Sequence, residues 1–323
     1  MLDRNLHDRN PRPSSSEPAP RGPQLVVAPP PRPSRHSALA LWHLLSLDAP
    51  TVAALWTFFI ARCSHIALPW TASAAMFTAV WMIYAADRLL DARQLDTTPH
   101  TPTDLADIDL ASIDIEERHR FHHRHRARFL AGMAAASLAL VLLLPHLQPR
   151  ALLLYTLLAA LLGTWMLLIH ARPPHRDGTR RLPKELAVGI FFPAACFIPT
   201  VARAPSLQPQ LLPIAAIFAG VCTLNCLFLY TWEHPHEPLA RRHAHWTTLW
   251  SIRHLPQLSV ALLALCITLA ALDRFATAPA LACALSTALL LALHRLRTRI
   301  RPVHLRAAAD LVLLSPLLFL LHR

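Results

Sequence analysis

Charged residues, glycines and lysines are all scarce in this sequence. Only 15% of its 323 residues are charged, 6 are glycine, and Lys184 is the single lysine among 31 basic residues. The six cysteines form no CxxC pair, and all of them lie in or beside apolar runs. That pattern indicates packing residues and gives no sign of a zinc site or a disulfide framework.

Long apolar runs explain the low charge. Hydrophobic residues make up 54% of the chain, and a helix needs about 20 of them to cross roughly 30 Å of hydrocarbon. We therefore predict an all-α polytopic membrane protein with about nine transmembrane helices. The predicted spans are 49–68, 70–86, 129–146, 150–170, 185–203, 211–232, 256–272, 277–294 and 302–321. An interfacial helix, "SALALWHLLSL", precedes the first span, which begins near Asp48 and Pro50.

The first 36 residues differ in composition from everything that follows. They are rich in Pro, Ser and Arg, and such a segment buries too little apolar surface to fold. No apolar stretch precedes a cleavage site, so we expect no signal peptide. We predict a disordered tail over residues 1–36 and a transmembrane domain over residues 37–323.

The distribution of basic residues predicts the orientation in the membrane. If the tail is inside, the tail and the loops after spans two, four, six and eight contain 25 of the 31 Arg and Lys residues. This asymmetry favours a cytoplasmic N-terminus, and we expect a bacterial inner membrane. The net charge of +12 then belongs to a surface that faces anionic lipid, so no nucleic-acid partner is expected.

Two similar acidic motifs end spans two and six. They are "YAADRLLD" (84–91) and "YTWEHPHE" (230–237), and in each a Tyr is followed by acids three and seven positions later. The motifs occupy equivalent places if spans one to four and five to eight form a parallel repeat. Folds built from such repeats bind substrates at the repeat interface. We predict a pseudo-repeat of four helices with a site at its cytoplasmic face.

The acids of both motifs are candidate metal ligands. A spacing of four residues places two acids on one face of a helix, and Mg²⁺ is usually held by one or two carboxylates together with a substrate phosphate. We predict that the Mg²⁺ ligands are Asp87, Asp91, Glu233 and Glu237. The alternative is that the two aspartates pair with neighbouring arginines as a solvated charge run.

Cations surround both motifs in the sequence. A diphosphate needs Mg²⁺ on its bridging oxygens and forked guanidinium donors on the others. The predicted diphosphate-binding residues are Arg88, Arg93, Arg124, Arg180, Arg181 and Lys184.

Three polar residues fall inside predicted spans. Asn225 lies in the middle of span six, while Arg306 and Asp310 lie one helical turn apart in span nine. Polar groups at that depth usually face the interior of the bundle. We expect Arg306 and Asp310 to pair with each other in a structural role.

These motifs resemble those of the UbiA superfamily of intramembrane prenyltransferases. "YAADRLLDAR" is similar to that family's first aspartate-rich motif, NDxxDxxxD, with Ile83 and Tyr84 where the family has Asn and its first Asp. "RRLPKELAVG" resembles the basic segment that opens the family's fifth helix, and "NCLFLYTWEHPHE" falls where its second acidic motif belongs. The resemblance covers about residues 40–320.

The resemblance implies a Mg²⁺-dependent transfer of a prenyl group. The donor is an isoprenyl diphosphate, and the acceptor is an aromatic or other lipophilic molecule. Asp87, Asp91 and Glu233 are the implied catalytic residues. Two other classes stay open: an isoprenoid-binding or lipid-binding protein on the same fold without chemistry, which Tyr84 favours, and a transporter or assembly factor, which predicts broken helices and buried ion pairs.

Overall fold

The computed structural model describes residues 37–95, 121–122, 124–171, 184–233 and 245–321. Every regular element within these residues is helical. The helices are α1 (Ala38–Leu44), α2 (Asp48–Cys63), α3 (Trp70–Leu95), α4 (Arg126–Leu143), α5 (Pro149–Ala171), α6 (Lys184–Arg203), α7 (Gln208–Glu233), α8 (Trp246–Arg253), α9 (Leu255–Leu272), α10 (Thr277–Leu296), α11 (Pro302–Leu311) and α12 (Pro316–Leu320). The predicted disordered tail lies outside the described residues.

The all-α prediction is confirmed for the described residues, and their apolar helices agree with a membrane protein. Six helical segments among them are long and apolar enough to cross a membrane, or seven if α1 and α2 form one broken span. The count of nine therefore stays a prediction. One predicted boundary was wrong, because α2 ends at Cys63, and α3 contains the predicted span 70–86 and continues to Leu95.

The break between α1 and α2 bends the chain by 89°. Ser46, in the connection, has a φ of 57°, which lies in the left-handed region that few side chains adopt. The sharp turn lets α1 pack against α11, and the Ser37 hydroxyl lies 3.1 Å from His304 Nε2. The predicted helix before Asp48 is present as α1, and its interfacial position stays a prediction because α1 and α2 together could also form one broken span.

Helix α2 lies at the centre of the largest hydrophobic core. Its buried aromatic residues, Trp56 and Phe59, contact Phe218 of α7 and Phe319 of α12. The helix packs against α3, α6, α11 and α12 as well. Residues from both ends of the chain are therefore joined in one core.

Helices α4 and α5 are more peripheral. Helix α4 packs mainly on α3, where Trp81 stacks with Phe129, while α5 packs mainly on α6. Large leucines such as Leu138 and Leu161 point outward from them. Outward leucines along apolar helices are typical of a surface that faces lipid.

Helices α6 and α7 pack closely at Gly189. A Cβ atom there would clash with Thr223 Oγ1 and lie 3.1 Å from the backbone oxygen of Ala219. We expect Gly189→Ala to lower the free energy of unfolding by about 1–3 kcal/mol, because a packed helix pair must separate to admit the methyl group. Thermal unfolding in detergent measures this.

Gly163→Ala in α5 is the matched control. Nothing lies within 4 Å of the added Cβ at Gly163, so its stability should be unchanged or slightly higher. If both variants unfold at the wild-type temperature, the close contact between α6 and α7 is wrong.

Candidate functional site

Five helices contribute side chains to one buried group, which we call the inner polar cluster. Its members are His43 of α1, Asp48 of α2, Arg88 of α3, Asn225 of α7 and Asp310 of α11. The cluster lies where α2 begins and near the ends of α3 and α7, and we call this side of the bundle the cluster end.

Asp48 is the central acid of the cluster. It is the first residue of α2, and its Oδ1 accepts a hydrogen bond from the backbone N–H of Ala49. Its Oδ2 lies 2.6 Å from His43 Nδ1 and 3.5 Å from Arg88 Nη2. Because Asp48 is almost fully buried, these partners replace the water that a carboxylate requires.

Asp310 supplies the second acid from the other end of the chain. Its Oδ1 accepts a hydrogen bond from Asn225 Nδ2 at 3.2 Å, and its Oδ2 lies 3.8 Å from His43 Nδ1. The imidazole of His43 is thus placed between two carboxylates. Asp48 contacts Arg88 of α3, and Asp310 contacts Asn225 of α7. Because His43 lies beside both acids, these side chains form a single network.

The charges of the inner polar cluster nearly cancel. If Asp48 and Asp310 are both ionised, they carry two negative charges, and Arg88 carries one positive charge. One further proton brings the total to zero, and either His43 or one of the two acids can hold it. Since an uncompensated buried charge is costly, the cluster requires that proton.

Three polar atoms of the cluster are unsatisfied within the described part of the chain. His43 Nε2, Arg88 Nη1 and Asn225 Oδ1 are buried and have no hydrogen-bond partner there. Buried polar atoms in native proteins are nearly always paired with protein, water or ligand. These atoms therefore make the cluster a candidate site for water or a small polar ligand.

A second ion pair lies at the same end. Glu233, the last residue of α7, pairs with the guanidinium of Arg306 in α11. Beside it, Trp232 Nε1 donates a hydrogen bond to His294 Nδ1 of α10 at 3.1 Å. The end of α7 is therefore attached to both α10 and α11.

The predicted site residues on α3 face in different directions. Asp87 is exposed, whereas its neighbour Arg88 is buried against Asp48. Consecutive residues of a helix point about 100° apart. Because Arg88 points inward to Asp48, Asp87 points away from Asp48. The predicted role of Arg88 as a diphosphate ligand stays a prediction.

The other predicted residues are described less completely. Arg124 is exposed near the start of α4. Three residues have helical backbones but side chains outside the description: Asp91, Arg93 and Lys184. Three more lie wholly outside the described residues: Arg180, Arg181 and Glu237.

One group of possible metal ligands is found among the described residues. The ligand atoms of His43, Asp48 and Asp310 lie within 4.8 Å of one another, but this set includes a nitrogen and lies beside Arg88. Mg²⁺ prefers oxygen ligands and water, so the set fits Mg²⁺ poorly. Asp87, which is exposed, and Glu233, which pairs with Arg306, are not part of this group, and their role as Mg²⁺ ligands stays a prediction.

The cluster contains one correction to the sequence prediction and one omission. Arg306 was expected to pair with Asp310, but the described contacts join Arg306 to Glu233 and Asp310 to Asn225. His43 was not singled out, and Asp48 was taken as a helix start only. Both residues lie in a segment rich in Leu and Ala. A His and an Asp five residues apart in such a segment were the sequence feature that could have indicated a buried polar contact.

Comparisons with protein-family models, with curated proteins and with solved structures found no match to this chain.

Proposed function

We propose that this chain is a membrane-embedded transferase that moves a prenyl group from an isoprenyl diphosphate to a lipophilic acceptor with the help of Mg²⁺. The proposed arrangement has nine spans, a pseudo-repeat of four helices and a cytoplasmic N-terminus in a bacterial inner membrane, as predicted from the sequence. Its nine helices and its orientation agree with the resemblance to the UbiA superfamily.

One observation carries the proposal beyond the motifs themselves. The helices that end in the two acidic motifs, α3 and α7, both contribute side chains to the inner polar cluster. Arg88 of α3 reaches Asp48, and Asn225 of α7 reaches Asp310. The two helices that carry the motifs therefore contribute to one cluster, which supports a diphosphate site shared by both motifs.

Each predicted site residue would have a distinct role in the transfer. Asp87 and Glu233, with Asp91 and Glu237, would hold Mg²⁺, which neutralises the negative charge that develops on the diphosphate as the allylic C–O bond breaks. Arg306 would turn from Glu233 toward the phosphate oxygens. The apolar interior would shield the allylic carbon from water.

The test is Mg²⁺-dependent binding of farnesyl and geranylgeranyl diphosphate to the purified chain. We expect binding by the wild type and a loss of at least tenfold, about 1.4 kcal/mol, in Asp87→Asn and in Glu233→Gln. Asp273→Asn, in the connection between α9 and α10, is the control and should bind normally. Wild-type binding that is absent, or indifferent to Mg²⁺, would end the proposal.

Binding without any transfer would indicate the non-catalytic alternative. A lipophilic acceptor panel that includes hydroxybenzoate and naphthoate separates the two, because only an enzyme releases diphosphate. Tyr84, in place of the family's first acid, is the residue that favours a binding protein.

A transporter is the second candidate, and two structural features favour it. The α1–α2 pair is broken at 89°, and the inner polar cluster contains the buried ion pair between Asp48 and Arg88. Broken helices beside buried charges recur in transporters. If the chain binds no prenyl diphosphate, Asp310-dependent dissipation of a pH gradient in proteoliposomes would support this candidate.

A further inference from the structure

Helix α8 has its apolar side chains on the outside. Trp246 is 69% exposed, Leu249 36% and Trp250 52%. These residues and the exposed Arg253 follow the spacing of one helical face. A large apolar stripe therefore faces away from the protein.

The opposite face of α8 is mainly polar and points inward. Thr248 is 3% exposed, and its Oγ1 donates a hydrogen bond to Glu185 Oε2 of α6 at 3.0 Å. Ser251 is half-buried on the same side, and Ile252 packs against the core. A helix on a water-exposed surface has the reverse arrangement, with polar residues outside.

The position of α8 along the chain indicates what covers the stripe. Helix α9 begins at Leu255, directly after α8, and is one of the candidate membrane spans. Its exposed residues include Val260 and Leu265. Helix α8 thus lies at the level where a span reaches the membrane surface, which is where Trp side chains concentrate.

We infer that α8 is an interfacial helix that binds the lipid bilayer at the boundary between headgroups and acyl chains. Trp246, Leu249 and Trp250 enter the boundary, and Arg253 meets the headgroup phosphates. The hydrogen bond between Thr248 and Glu185 then ties this membrane contact to the start of α6. The inference is independent of the proposed enzymatic function.

Tryptophan quenching in lipid vesicles tests the inference. The full chain and a Trp246→Phe/Trp250→Phe variant are reconstituted in phosphatidylcholine, and the difference between their emission spectra isolates the two α8 tryptophans. We expect lipid brominated near the headgroup to quench this difference emission at least about twofold more than aqueous iodide does. Both side chains are exposed, so the variant should fold normally.

Trp56→Phe is the matched control. Trp56 is fully buried, so its difference emission should resist both quenchers. Iodide quenching of the α8 tryptophans that equals or exceeds lipid quenching would overturn the inference, because the stripe would then face water. Protection from both quenchers would overturn it too, because protein would then cover the stripe.

Discussion

Replacing Asp48 by Ala is expected to lower the free energy of unfolding by about 3–5 kcal/mol, the cost of removing one partner from a buried ion pair. Asp48 is buried, compensates the charge of Arg88 and also contacts His43. Without it, the guanidinium keeps its charge in an interior that cannot hydrate it. Denaturation of the purified protein in mixed detergent micelles measures the loss.

A double variant separates lost charge compensation from lost packing. Asp48→Leu with Arg88→Met removes both charges and keeps apolar volume, so it should recover most of the stability that Asp48→Ala loses. A loss below about 1 kcal/mol in Asp48→Ala would mean that water reaches the cluster.

Trp56→Ala is expected to cost a similar amount, about 3–5 kcal/mol. The indole is fully buried, its ring stacks on Phe218 with a centroid distance of 3.9 Å, and its Nε1 donates to the backbone oxygen of Leu313 at 2.8 Å. Truncation leaves a cavity among α2, α7 and the segment between α11 and α12, and it also leaves a carbonyl unpaired. Detergent denaturation again measures the change.

Trp70 provides the comparison within the same protein. It is 75% exposed at the start of α3, so Trp70→Ala should change stability by no more than about 0.5 kcal/mol. Equal losses at Trp56 and Trp70 would contradict the position of Trp56 in the core.

The positions of most helices could be predicted from the sequence, because each long apolar run indicates a helix. The start of α2 at Asp48 and the separate helix before it both followed from local signals. The ends of α2 and α3 did not, because the apolar pattern continues past Cys63 and a charged segment can remain helical as far as Leu95.

The inner polar cluster could not be predicted, because its members come from five separate helices. Local spacing suggested that Arg306 pairs with Asp310, one turn away. Neighbouring helices instead supplied Glu233 for Arg306 and Asn225 for Asp310. The sequence also could not predict that Arg88 faces inward and Asp87 outward. That difference depends on how α3 is rotated about its axis against its neighbours.

The contact between Trp56 and Leu313 has a consequence for how the protein is made. The two residues are 257 positions apart, and a ribosome that adds about 5–20 residues per second needs roughly 13–50 s to cover that distance. His43 and its contact Asp310 are separated by a similar number of residues. During this interval the first helices present Trp56 and His43 without these partners, so the core around α2 is completed only when the last helices have been made.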